Sequence, residues 1–244
     1  MSRIALVTGG TRGLGLAIAE ALAAAGHTPI LGYHHDQEAA ALALASIRSL
    51  APRAEAWPVD IADPAAVEAL FVRAQAELGP VQILINNAFR SGRPPQKVHE
   101  LSPSAWREDL ATNLDGPFFV TRSALPQMIA SGFGRVVFIG SLAARGEMGR
   151  AAYSTAKAAL SGLAGTIAQE YARQGITANV ISPGFIDAGA FLRLTPEIRE
   201  RALKRVPSGR AGHASEVAAL VTHVVSDAGG YLNGQVLSVD GGAR

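Results

Sequence analysis

The feature that most limits what this chain can fold into is a strict alternation of short apolar runs and longer alanine-rich segments. The first run, residues 4–7, passes straight into a glycine-rich turn, Thr8-Gly9-Gly10-Thr11-Arg12-Gly13-Leu14-Gly15. Residues 4–7, 29–33, 54–59, 83–85, 135–139, 177–181 and 236–239 read as strands. Residues 15–25, 37–50, 64–78, 104–131, 153–174 and 215–225 read as helices. Asp63-Pro64 and Ser102-Pro103 supply a capping side chain followed by a proline suited to the first helical turn. Gly26, Gly79 and Gly175 sit where helices should stop. Strand and helix in alternation build βαβ units, hence a parallel sheet covered on both faces. The expected fold class is α/β: a single-domain Rossmann fold over residues 1–244, a doubly wound parallel sheet of about seven strands. The least regular stretches are 90–100 and 185–212, the second taken as a substrate loop.

Composition narrows the chemistry. The 244 residues include 46 alanines and are 48% hydrophobic and 17% charged, which argues against disorder. There is no cysteine, so disulfides, thiolate metal sites and a cysteine nucleophile are excluded, and no metal site is expected. A formal charge of +2 makes no case for nucleic acid or an anionic membrane as partner. The amino-terminal residues lack a secretory pattern and no apolar stretch is long enough to span a bilayer, so a cytoplasmic location is expected. The cations are lopsided: 19 arginines stand against three lysines, Lys97, Lys157 and Lys204.

A glycine cluster alone is more often a plain turn than a binding loop. Directly after the first strand and opening the first helix, it fits a pyrophosphate held by backbone N–H groups at the positive end of the helix dipole. The sequence lacks the Gly-Lys-Ser/Thr of a nucleoside triphosphatase. The end of the second strand should meet the adenosine ribose. It reads Tyr33-His34-His35, with no carboxylate before Asp36, and Arg12 in the loop is a cation for a 2′-phosphate. NADP(H) is therefore favoured over NAD(H). Solvated roles for Arg12 and His34, or Asp36 reaching back to the ribose, would favour NAD.

Tyr153 and Lys157 are four residues apart, on one face of a helix. Hydride transfer to a ketone creates an alkoxide that needs a proton. A phenol serves if a neighbouring cation lowers its pKa, and lysine has donors to spare for ribose hydroxyls. By itself the pair is usually just exposed. It gains weight because this arginine-rich chain keeps a lysine there, and because Gly140-Ser141 ends a strand upstream. A lone serine at such a place is ordinarily a cap, but Ser141 is also able to donate to a carbonyl oxygen.

Taken together, these motifs resemble the short-chain dehydrogenase/reductases along essentially the whole chain, most closely the 3-oxoacyl-(acyl-carrier-protein) reductases among them. The resemblance rests on Thr8-Gly9-x-x-x-Gly13-x-Gly15, Asp60, Asn86-Asn87-Ala88, Thr112-Asn113, Ser141, Tyr153, Lys157, Pro183-Gly184 and Val239-Asp240-Gly241-Gly242. It implies a catalytic set of Asn113, Ser141, Tyr153 and Lys157. Tyr153 would be general acid in reduction and base in oxidation. Ser141 would position the carbonyl, and Lys157 would tune Tyr153 and bind the ribose. Asn113 would anchor a water linking Lys157 to solvent. It also places the cofactor against Gly9, Thr11, Arg12, Gly13, Leu14, Gly15, Tyr33, His34, Asp60, Ile61, Asn87, Ala88, Tyr153, Lys157, Pro183, Gly184 and Ile186. A homotetramer is implied as well.

Two positions depart from the family pattern. Phe89 stands where a glycine usually follows Asn-Asn-Ala, and would narrow the pocket or push the 90–97 loop outward. Asp187-Ala188-Gly189 lacks the usual threonine for the carboxamide, leaving the Ile186 backbone to bind it. Phe185, Phe191, Leu192 and Leu194 suggest an apolar pocket wall, so the expected reaction is reduction of a 3-oxoacyl thioester or similar apolar ketone. The turns around residues 131–134 and 173–175 offer little positive charge to an acidic carrier protein. The basic residues Arg193, Arg199, Arg201, Lys204 and Arg205 read most simply as the solvated face of an amphipathic helix. Two alternatives stay open: a reductase of free small, cyclic or sugar ketones, and a cofactor-sensing binding protein without turnover.

Overall fold

The computed structural model describes residues 1–90, 93–189 and 191–243. The strands are β1 (Ile4–Thr8), β2 (Thr28–Tyr33), β3 (Glu55–Pro58), β4 (Val81–Asn86), β5 (Gly134–Ile139), β6 (Ile176–Pro183) and β7 (Val236–Val239). The helices are α1 (Gly13–Ala24), α2 (Gln37–Arg48), α3 (Pro64–Glu77), α4 (Pro103–Leu110), α5 (Gly116–Ser131), α6 (Ala151–Tyr171), α7 (Pro196–Leu203) and α8 (Ala214–Val225). All strands are parallel, in the order β3-β2-β1-β4-β5-β6-β7. The chain winds outward from β1 in one direction, then returns to β4 and winds in the other. The crevice outside the carboxyl ends of β1 and β4 is the switch point, where such sheets take ligands.

The inner strands β1, β2, β4, β5 and β6 are buried on both faces while the edge strands β3 and β7 are partly exposed, and the pleat sends alternate residues to opposite sides. Ile4 and Leu6 of β1 join a core with Val67, Phe71, Met128 and Leu160, from α3, α5 and α6. Ala5 and Val7 join the other core with Ile18, Leu22, Ile47 and Val221, from α1, α2 and α8. Alanines at 19, 23, 43, 74, 124 and 164 are buried and let the helix backbones lie close to the sheet. The caps act as their sequence suggests: Asp63 accepts from the Ala65 N–H at 2.9 Å and Ser102 from the Ala105 N–H at 3.1 Å.

The structure alters two expectations. The helix expected over 104–131 is broken: α4 ends at Leu110, Ala111–Asp115 form a π-helical turn, and α5 begins at Gly116. Pro117 has no N–H to offer the carbonyl of Asn113 four residues back, so the α-helical ladder cannot continue there. The second difference lies in 185–212, which holds α7. Its start, Thr195-Pro196, is the same cap-and-proline signal used elsewhere, and Thr195 accepts from the Ile198 N–H at 3.5 Å. Having no buried residue, α7 lacks the apolar stripe by which the longer helices announce themselves. Residues 91 and 92 of the 90–97 loop, and residue 190 of the substrate loop, lie outside the described residues.

Gly15 shows how closely the first helix meets the sheet. A Cβ there would run into the Gly9 carbonyl oxygen and lie 2.5 Å from Asn87 Nδ2. Alanine in an open helical position gains up to about 1 kcal/mol over glycine. Gly15→Ala is expected to lose at least about 2 kcal/mol instead, because backbone must move. Urea denaturation of both proteins checks this; equal stability would contradict it.

Candidate active site

The glycine loop follows from β1 running out of apolar sequence at Thr8. Gly13 takes φ +55°, a left-handed turn that L side chains resist, and α1 starts there. Arg12 occupies the N-cap, yet no side chain caps the helix and no acid lies in its first turn. The first N–H groups of α1 are left for an anion from outside. The loop forms one wall of a cavity of about 970 Å³, at the upper end of the range for small-molecule sites. Twelve of the expected cofactor residues line it: Gly9, Thr11, Arg12, Gly13, Leu14, Gly15, Tyr33, His34, Asp60, Ile61, Asn87 and Ala88. An open glycine cradle under an uncapped helix end fits a pyrophosphate, so the residues present suit a dinucleotide. Phe89 also lines the cavity and is 46% exposed.

The two sides of the crevice are tied by Thr8, which opens the glycine motif but carries no role in the sequence expectations. Thr8 Oγ1 accepts from the N–H groups of both Asn87 and Ala88, each at 3.0 Å, and donates to the Ile85 carbonyl at 3.3 Å. The Asn87 side chain donates to the carbonyls of Thr8 at 2.9 Å and Gly9 at 3.1 Å. Asn87 thus holds the glycine loop in shape with its amide. The signal for Thr8 was a single hydroxyl at the end of an otherwise apolar buried strand.

Ser141 follows β5. Its Oγ accepts from the Ala143 N–H at 3.1 Å, capping the short 3-10 turn Leu142–Arg145. The cap uses its lone pair and leaves its O–H to donate. Tyr153 and Lys157 lie on the first turns of α6, one turn apart, with the lysine nitrogen 5.7 Å from the tyrosine ring centre. Burial pushes the Tyr153 phenol above its ordinary value, against a hydrogen bond from Ser141 that favours the phenolate. The sequence reading expected Lys157 to lower it; in the protein alone burial wins. Lys157 is buried, its Nζ donates to the Ile139 carbonyl at 2.8 Å, and burial lowers its pKa to about 8.

Asn113 is fully buried in the π-helical turn. Its amide clamps the loop after β4: Oδ1 accepts from the Arg90 N–H at 3.1 Å, and Nδ2 donates to the carbonyls of Arg90 at 3.2 Å and Asp109 at 2.9 Å. Beside Tyr153 lies a second cavity of about 370 Å³, whose wall includes Arg90, Arg93, Arg150 and Asp109. Arg90 and Glu108, an ion pair at 3.1 Å, line both cavities and form part of the wall between them.

Pro183, Gly184 and Ile186 lie beyond the lining of the large cavity, as do Asn113, Ser141, Tyr153 and Lys157. Pro183 pairs with Val239, and the Gly184 N–H donates to the Val239 carbonyl at 2.9 Å. Ile186 forms an isolated bridge with Gly212; its carbonyl accepts from the Ala188 N–H at 2.7 Å, while its own N–H has no partner among the described residues. The ends of the substrate loop are further joined by His213 Nδ1 and Asp187 Oδ2 at 2.6 Å. Phe185 and Phe191 stand with ring centres 5.5 Å apart.

Comparison with known proteins agrees with this geometry. Residues 9–244 match the family model described as Enoyl-(Acyl carrier protein) reductase. An acetoacetyl-CoA reductase of Rhizobium meliloti (strain 1021) is 39% identical over 99% of this chain and 98% of its own length. A 3-oxoacyl-(acyl-carrier-protein) reductase of Escherichia coli (strain K12) is 36% identical, covering 98% of this chain and 96% of its own. One of Mycobacterium tuberculosis (strain CDC 1551 / Oshkosh) is 35% identical, covering 99% and 93%. The chain belongs to the short-chain dehydrogenase/reductase family and is an oxidoreductase of that family. Among the described residues, no helix is long and apolar enough to cross a membrane.

The buried Lys157 gives a test with a definite sign. Its pKa falls on folding, so the unfolded chain holds more protons between pH 8 and the ordinary lysine range, and stability rises with pH across that window. The buried charge therefore costs most at neutral pH. Lys157→Met, which also orphans the Ile139 carbonyl, is expected to gain on the order of 2 kcal/mol at pH 7. The gain should shrink towards pH 10. Urea denaturation at both pH values checks it; a variant less stable at pH 7 would contradict the sign.

Proposed function

We propose that the protein is an NADP(H)-dependent reductase that converts the ketone of a 3-oxoacyl thioester to a secondary alcohol. The observation that carries this is the placement of Tyr153, Ser141 and Lys157 beside the carboxyl end of β5, next to the switch-point crevice. The names of the relatives, acetoacetyl-CoA and 3-oxoacyl-(acyl-carrier-protein) reductases, support the substrate class. The apolar Phe185–Phe191 pair supports an acyl chain over a sugar. Arg12 and His34 on the cavity wall support the phosphorylated cofactor, since Asp36 is occupied in capping α2 by accepting from the Ala39 N–H at 2.9 Å.

When bound, a nicotinamide supplies the hydride. The Ser141 O–H donates to the carbonyl oxygen, where negative charge develops. Tyr153 gives its phenolic proton to the same oxygen as the C–H bond forms, yielding the neutral alcohol. The burial that raises its pKa keeps that proton in place at neutral pH, which suits reduction. Lys157 holds ribose hydroxyls with the two N–H bonds not given to Ile139 and stabilises the phenolate left behind. Reprotonation needs a water. The Asn113 amide is committed to Arg90 and Asp109, so its main-chain carbonyl, which Pro117 cannot serve, is the group that would hold one. The Ile186 N–H, without a partner among the described residues, would bind the carboxamide.

The same reading places the protein in the cytoplasm as a homotetramer. Phe118 and Ile129 on α5 are 45% and 42% exposed, and a Cβ at Gly162 or Gly165 of α6 would meet nothing within 4 Å. These faces suit close packing of copies; a monomeric mass by light scattering would contradict the tetramer.

Tyr153→Phe is expected to bind NADPH as the parent does while kcat falls roughly 10²–10⁴-fold. Substantial turnover by the variant would remove Tyr153 from the acid role. NADPH oxidation across acetoacetyl and longer 3-oxoacyl thioesters, and free cyclic, aryl and sugar ketones, tests the substrate. Turnover confined to free ketones would overturn the thioester assignment.

A further inference from the structure

The adenosine end of the large cavity has an unusual charge balance. Arg12 is its fixed cation beside β2, and its Nη1 lies 3.5 Å from Asp36 Oδ2. Asp60, at the end of β3, sets Oδ2 3.7 Å from His34 Nε2. Two carboxylates therefore face one guanidinium. Tyr33 adds only a neutral phenol, and Arg193 reaches the cavity from the substrate loop. Arg90 and Glu108 compensate each other. With neutral imidazoles the surroundings of a ribose 2′-phosphate are poorly matched to a dianion.

His34 and His35 are the groups that can change this. Both line the cavity, and their rings lie 3.4 Å apart between centres, inclined at 31°. Imidazole is the side chain that gains charge between pH 5 and 8. Two imidazolium rings at that distance would repel, and an anion beside them would offset the repulsion. A phosphate dianion beside them would favour charge on both rings.

Resting on the NADP(H) reading above, we infer that His34 and His35 take up protons as the 2′-phosphate binds, so that pH sets the choice between NADPH and NADH. The sign follows from linkage. The phosphate dianion favours the protonated imidazoles, so its advantage is greatest just above its own second pKa of about 6 and is lost as pH rises through the imidazole range in the complex. At higher pH the neutral rings leave Asp60 as the acceptor beside the ribose, which suits NADH.

The test is calorimetric titration of the whole protein with NADPH and NADH from pH 6.5 to 8.5, in buffers of differing ionisation enthalpy. At pH 7, NADPH binding is expected to take up more than about half a proton and NADH binding none. The NADPH-to-NADH affinity ratio should fall about five-fold or more across the range, as a one-unit rise in one imidazole would produce. In His34→Gln/His35→Gln the uptake should vanish and the ratio should become flat, with an unchanged circular dichroism spectrum and urea midpoint reporting that the variant is folded. NADPH preference with a constant ratio and no uptake would overturn this inference and leave the cofactor reading standing. Uptake that persists in the double variant would also overturn it. Tighter NADH binding at every pH would overturn both.

Discussion

The hydroxyl of Thr8 holds the place on which the rest of the structure depends. The sheet changes winding direction between β1 and β4, and there the carboxyl ends of two strands must part to leave a crevice. A parting sheet strands backbone N–H groups, which are costly when buried and unpaired. Thr8 Oγ1 takes two of them, from Asn87 and Ala88, and the Asn87 amide returns two hydrogen bonds to the glycine loop. The crevice is opened without leaving these groups unpaired, and the loop that would hold a pyrophosphate is set by the same contacts.

On the other side of the crevice the structure bears a cost. Lys157 is a buried cation with one carbonyl partner, and its lowered pKa measures how poorly that site tolerates charge. Arginine would carry the charge with more donors but in a fixed, larger fork that cannot lose its proton. A lysine in a chain otherwise built with arginine marks a place where a compact ammonium is required. Tyr153 is held neutral by burial, one turn before it. Stability is given up at this pair in the protein alone, a common pattern where side chains await a ligand.

Much of this was legible in the sequence because periodicity and spacing carry it. Seven apolar runs gave seven strands within a few residues at each end, and the glycine spacing marked the loop. The four-residue step from Tyr153 to Lys157 put both on one face. What stayed hidden depends on contacts between distant residues or on local faults in regular structure. Pro117 breaks the ladder after Asn113, yet the apolar pattern runs on through 104–131 as if it were one helix. The Asn113 amide looks for partners 23 positions away, at Arg90. Arg12 finds Asp36 only when the first two βα turns are brought side by side. Thr195-Pro196 was readable as a helix start, but the short exposed α7 has no buried stripe to confirm it.

The central claim is that hydride delivered from this crevice goes to a ketone carbon whose oxygen is protonated by Tyr153. The most direct measurement is mass spectrometry of the products formed from C4-deuterated NADPH, with an acetoacetyl thioester and a 2-enoyl thioester in the same vessel. The account predicts a 3-hydroxyacyl thioester bearing one deuterium on C3, with the enoyl thioester returned unchanged. Saturated, deuterated product from the enoyl thioester, with the acetoacetyl thioester returned unlabelled, would contradict it.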